Sequence, residues 1–157
     1  MRQLLVILGL LLGLLQPFAG LQPARAIDTR GVEIDVQRGM EEILTLWRDG
    51  RYEELYQRTS GGKMTREAFV KRFAGASLKP TCCWDKLQEV RVTVQTASRA
   101  TLYGTVGLES TVGSETKTKS FKMSRESGVW LINQNELVSL AGAPHQKKKK
   151  RVVSKHP

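Results

Sequence analysis

The groups with which this 157-residue chain could do chemistry are two adjacent cysteines, two histidines and a scatter of carboxylates. Cys82 and Cys83 are its only cysteines, and His145 and His156, its only histidines, both follow Pro144 near the C-terminus. Two thiols without a histidine in the same folded segment cannot complete a four-ligand zinc site, so neither a metal nor a cofactor is expected. Serine hydrolysis fails on spacing: Gly113-Ser114 lacks the second glycine of a nucleophile elbow, and no histidine of the domain could activate the hydroxyl. Gly61-Gly62-Lys63 lacks the spacing of a phosphate-binding loop and follows a helical pattern where that loop follows a strand, so it reads as a turn. Neighbouring α-carbons lie about 3.8 Å apart across a trans peptide, short of the usual disulfide span of about 4.4–6.8 Å. The cysteines therefore read first as half-buried thiols near the start of a strand, pointing to opposite faces. A vicinal disulfide and an intermolecular pair are the alternatives.

The N-terminal segment supplies the compartment. Arg2 precedes an apolar run from Leu4 to Leu15, and Ala24-Arg25-Ala26 places small residues at the −3 and −1 positions of a cleavage site. The run holds about 12 residues, whereas a membrane-spanning helix needs roughly 20. Residues 1–26 are thus expected to be a cleaved signal peptide leaving Ile27 first, and the protein to be periplasmic or secreted. No cysteine near the site offers a thiol for lipid attachment.

Residues 27–144 are expected to form one domain and 145–157 a disordered basic tail. The net charge of +10 would suggest nucleic acid until it is located. Two of the 25 basic residues lie in the signal and six in the tail, leaving 17 against 15 acidic residues between Ile27 and Pro144. With signs mixed throughout the domain, nucleic acid is not an expected partner. The run Lys147, Lys148, Lys149, Lys150 and Arg151 is instead expected to make weak contact with anionic envelope surfaces, each charge contributing about 1 kcal/mol near such a surface.

From Glu33 to Asp49 the apolar residues Val36, Met40, Ile43, Leu44 and Trp47 line one helical face, and Gly50 stops the helix. A short second helix turns Tyr52, Leu55 and Tyr56 inward. Thr65 offers an N-cap to a third carrying Phe69, Val70 and Phe73. After Pro80 the period becomes twofold: Val90, Val92 and Val94, then Leu102, Gly104, Val106 and Leu108, alternate with polar residues across a turn at Ala97-Ser98. Gly113-Ser114-Glu115 is expected to turn into a strand from Thr118 to Ser124. Ser127-Gly128 turns into Val129–Ile132, and Asn135–Leu140 makes a last helical turn. Helices followed by an antiparallel meander give an α+β domain, with three helices on the apolar face of about four strands.

The helix ending near Trp47, the segment Gly50-Arg51-Tyr52-Glu53-Glu54-Leu55-Tyr56, the helix Thr65–Phe73 and the closing Ser127-Gly128-Val129-Trp130-Leu131-Ile132 resemble the nuclear transport factor 2-like (cystatin-like) superfamily, over about residues 33–141. The likeness extends to the small exported bacterial domains of that group without an assigned activity. The resemblance implies a curved sheet wrapped around a long helix, a cone whose mouth can hold a small apolar ligand, and a homodimer formed through the sheet. Enzymes of the fold place an Asp, an Asp–His pair or a Tyr at that mouth. The tail position of both histidines excludes a histidine base. Of the carboxylates Asp49, Asp85, Glu109 and Glu126, the first and last two fall at a helix stop, in a polar strand register and in a turn. Asp85, beside Trp84, stands out. Trp47, Tyr52, Tyr56, Phe73, Trp84, Asp85, Tyr103 and Trp130 are the candidate pocket lining, with the aromatic members equally able to fill the cone as core. The expected function is a non-catalytic binding or accessory domain of the bacterial envelope, its partner a small apolar ligand or an envelope protein. The alternative is an isomerase- or dehydratase-type enzyme using a carboxylate such as Asp85 with a tyrosine hydroxyl.

Overall fold

A computed structural model describes residues 28–142. The expected signal peptide (1–26) and the expected basic tail (145–157) lie outside the described residues. Helix α1 (Thr29–Arg48) starts where the Asp28 carboxylate accepts the Gly31 N–H at 3.2 Å, one of the amides that a helix start leaves unpaired. It ends at Gly50, whose φ of 75° suits a residue without a Cβ. Val36, Met40, Ile43, Leu44 and Trp47 form its buried stripe, as their spacing dictates. Helix α2 (Tyr52–Gln57) leads into the two-residue strand β1 (Thr59–Ser60). Helix α3 (Arg66–Ala74) is capped by the Thr65 hydroxyl, which accepts the Ala68 N–H at 3.3 Å.

Strand β2 (Lys79–Pro80) and a 3-10 turn (Cys83–Lys86) precede the strands β3 (Gln88–Thr96), β4 (Arg99–Ser110), β5 (Gly113–Glu126) and β6 (Val129–Asn133), and helix α4 (Gln134–Leu140) closes the domain. The sheet runs β1-β6-β5-β4-β2, with β3 pairing the other half of β4. Two details differ from the sequence expectation. The short strands β1 and β2 raise the strand number to six, and β1 pairs β6 in parallel, Thr59 opposite Ile132, which makes the sheet mixed. Strands of two residues leave no periodicity to read. The β4–β5 turn also sits at Thr111-Val112, so Gly113, Ser114 and Glu115 belong to β5, continuing twelve successive pairs from Arg99↔Ser124 to Ser110↔Gly113. The turn between β5 and β6 is where it was expected: Ser127 and Gly128 have φ of 49° and 83°, the handedness that matches a twisted hairpin.

Alternate residues of the strands face α1. Ala100, Leu102, Val106, Leu108, Phe121, Met123, Trp130 and Ile132 join the helical stripe and Leu137 and Leu140 of α4 in one core. Each such side chain fully withdrawn from water contributes about 1.5–3 kcal/mol before the entropy of ordering it is counted. The other face of the sheet is polar, carrying Thr101, Tyr103, Thr118, Ser120, Lys122 and Ser124, and its hydroxyls pair across strands, as Thr105 and Thr118 do at 2.8 Å. Where β6 ends and leaves the edge of β5 open, the Glu136 carboxylate accepts the Lys122 N–H at 2.7 Å. That pairing blunts an edge that another strand could join.

The cysteines correct the first reading. Cys82 precedes and Cys83 opens the 3-10 turn, both are exposed, and they are bonded to each other. The alternation of a strand does not apply there, because Cys83 takes a left-handed φ of 61°. A bond between neighbours closes too short a loop to restrict the unfolded chain. Cys82→Ser/Cys83→Ser should therefore shift the urea midpoint by no more than about 0.5 kcal/mol in stability. A loss of several kcal/mol would mean that the bond holds the turn over β4.

Candidate functional site

Four of the eight candidate residues meet at one end of the helical layer. Trp47 from α1 packs edge-on against Phe73 from α3, with ring centroids 5.3 Å apart at 85°, and Tyr52 from α2 lies 6.4 Å from Phe73. Tyr56 meets Phe69 edge-on at 5.4 Å, and Phe69 stacks on Phe73 at 4.3 Å. Phe69 was placed in the core by its spacing but not among the pocket residues, and it joins the two halves of the cluster. Trp47, Phe69 and Phe73 have no exposed surface. Edge-to-face and offset rings at these separations add about 0.5–1.5 kcal/mol per pair beyond burial. The rings therefore fill the interior of the helical layer at this point with one another.

The remaining candidates are dispersed. Trp130 packs at a different point of α1, against Gly39, where a Cβ would come within 2.7 Å of the Trp130 Cβ. The Arg125 guanidinium lies 5.9 Å from the Trp130 ring centre. Tyr103 is 42% exposed on the polar face of the sheet. Asp85 is exposed in the 3-10 turn, where its carboxylate accepts from the Gln88 amide at 3.2 Å. The side chain of Trp84 lies outside what is described.

Clefts open instead on the outward side of the helices. One of about 440 Å3 is bordered by Arg38, Glu41, Glu42, Thr45, Arg51, Glu54, Arg58 and Lys86. Arg58 is its best-anchored member: the side chain is only 17% exposed and donates to the Trp130 carbonyl at 3.1 Å and the Glu42 carboxylate at 2.9 Å. A charge drawn that far from water needs such partners. Lys86 donates to the Thr45 hydroxyl at 3.0 Å. Arg51 and Glu54 pair through two contacts, one at 2.7 Å. A hydrogen bond from Arg51 holds the Glu54 carboxyl below its usual range, and the same bond raises Arg51. Both groups become more firmly charged, the opposite of what a general acid needs near neutral pH. A neighbouring cleft of about 220 Å3 shares Arg38, Glu42 and Arg58 and adds Asp35, which lies 3.7 Å from Arg38 and 3.9 Å from Arg125.

Arg38, Glu41 and Glu42 fall between the apolar positions of the α1 stripe, where spacing alone gives a solvated polar face. Nothing local marks Arg58, since its partners Gly39 and Trp130 are 19 and 72 residues away. Among the described residues no three His, Cys, Asp or Glu side chains converge as metal ligands.

No protein-family model and no curated protein matches the chain. Solved structures do. A protein of Novosphingobium aromaticivorans provisionally named a scytalone dehydratase is 15% identical, with a TM-score of 0.52 over 69% of this chain and 84% of that one. A protein of Catenulispora acidiphila is 14% identical, with a TM-score of 0.47 over 70% and 96% of the two chains. Aln2 of a Streptomyces species is 15% identical, with a TM-score of 0.43 over 74% and 99%. The fold is nuclear transport factor 2-like: helices followed by a curved, unclosed mixed sheet. At these identities the likeness carries the fold and no activity.

Proposed function

We propose that this protein is an exported, non-catalytic binding or accessory domain of the bacterial envelope, one that meets its partner with its surface. The observation that supports the reading is the packed aromatic interior: Trp47, Phe69 and Phe73 are buried against one another, which favours core over pocket lining for these rings. The carboxylate-and-tyrosine pair that an enzyme of this fold would use finds no support in the placement of Asp85, whose described partner is Gln88. Export rests on the signal pattern before Ile27.

The test uses protein recovered from an exporting bacterial host. Its intact mass should correspond to a chain beginning at Ile27, and the native protein should leave the fluorescence of an anilinonaphthalene sulfonate probe close to its value in buffer. A mass that includes Met1 would overturn export. Stoichiometric uptake of the probe by the native state, with quenching of tryptophan emission, would reveal an open interior and return the enzyme reading to first place.

A further inference from the structure

The polar face of the sheet has a cleft unlike those beside the helices. It measures about 450 Å3, and its border includes Arg99, Thr101, Lys122, Ser124, Ser60 and Asn133, with no carboxylate side chain among the lining residues. Arg99 lies opposite Ser124, and Thr101 opposite Lys122, in the β4–β5 register, so these four form one block on one face. Around the helices, Arg51, Arg58, Arg38 and Arg125 each face a carboxylate. Among the described residues the guanidinium of Arg99 and the ammonium of Lys122 have no such partner. Glu136 is engaged nearby with the Lys122 backbone N–H, and Glu126 lies farther along β5.

We propose that this cleft binds an acidic saccharide, a sugar bearing a carboxylate or a phosphate. Unpaired cations with no competing carboxylate in the lining attract an oxyanion, and arginine offers it a fork of two donors. The rest of the wall mixes the apolar Ala100 and Met123 with hydroxyls and amides: Ser60 and Ser124 hydroxyls lie 3.3 Å apart, and the Thr101 hydroxyl, which accepts from Gln95 at 3.0 Å, keeps its own O–H to donate. Asn133 gives its side-chain oxygen to the Asn135 N–H at 3.0 Å and keeps its NH2 as a donor. Such a wall offers hydrogen bonds to the hydroxyls of a sugar and, at Ala100 and Met123, apolar surface to its C–H face, and the volume falls within the range of about 300–1,000 Å3 of small-molecule sites. The proposal rests on the non-catalytic binding reading and supplies its ligand class.

The experiment is a titration of the 15N-labelled protein with glucuronate, glucose 6-phosphate, glucose and inorganic phosphate, in low salt. Glucuronate or glucose 6-phosphate should shift the amides of Arg99, Thr101, Lys122 and Ser124. Which of the two binds more tightly distinguishes a carboxylate from a phosphate ligand. Neutral glucose should bind at least about tenfold more weakly, and the R99Q/K122Q variant should lose about tenfold or more in affinity for the acidic sugar. The R66Q variant, altered at a helical-side pair with Glu53 3.5 Å away, should keep it. Absence of shifts with either acidic sugar, or equal affinity in R99Q/K122Q, would overturn the proposal. Inorganic phosphate binding as tightly as glucose 6-phosphate would overturn the saccharide part. A failed titration alongside an excluded fluorescent probe would leave the filled-interior reading standing, so the two can fail separately.

Discussion

Phe73→Ala should cost the domain about 3–5 kcal/mol, the range for removing a buried phenylalanine into a cavity that its neighbours cannot close. Phe73 is the ring on which the cluster converges: it has no exposed surface and touches Trp47, Tyr52 and Phe69. These neighbours come from all three N-terminal helices, so collapse around the void would require them to shift together. Against a total stability of roughly 5–15 kcal/mol, the loss is about a fifth or more. It is measured as a lowered urea midpoint with unchanged slope, and saturating benzene should restore part of it by occupying the new space. A loss below about 1 kcal/mol would mean that the ring stands in an already open cone, which would undermine the non-catalytic reading directly.

Gly107→Ala is expected to be as damaging for the opposite reason. A Cβ at Gly107 would lie 2.1 Å from the backbone oxygen of Asp85 and 2.6 Å from the Thr81 hydroxyl. The nearer obstacle is main chain, which cannot rotate away as a flexible side chain would. The Thr81 N–H donates to the Gly107 carbonyl at 3.0 Å, so the segment leading into the 3-10 turn is tied to β4 at the same point. Relief requires either breaking that bond or lifting the turn, and a loss of about 3 kcal/mol follows, at the upper end for overpacking. Thermal unfolding reads the loss, and altered amide shifts from Thr81 to Lys86 locate it. A variant as stable as the parent would mean that the turn does not sit on β4 in solution.

Much of this architecture was legible because each element buries one regular stripe. The spacing Val36, Met40, Ile43, Leu44, Trp47 has only one helical solution, and Thr65 could cap a helix whatever lay around it. β5 was half hidden for the converse reason. Between Val112 and Phe121 it contains no apolar residue, since its side chains there are exposed or only half-buried, and hydrophobic alternation cannot reveal a strand whose faces are both polar. It is held by its register with β4, which is a property of the pair. The candidate site divided along the same line. Helical spacing carried Trp47, Tyr52, Tyr56 and Phe73 together, whereas Tyr103 followed a strand register to the opposite face and Asp85 sat in a turn without periodicity. The Arg99–Lys122 block exists only once the hairpin is closed, because 23 residues of sequence separate its two charges.

The order of the elements along the chain also sets when the domain can be completed. The apolar stripe of α1 ends at Trp47, but the long strands that cover it begin at Gln88, and β1 waits for β6, whose Ile132 pairs with Thr59. A chain emerging N-terminus first therefore shows its helical half to the surroundings before any permanent cover for it has been made. The β4–β5 hairpin, joined by two residues, closes locally at small entropic cost, yet the last register depends on residues near the end of the domain. Such a polypeptide lacks its last strand pairing until almost all of the domain has been synthesised.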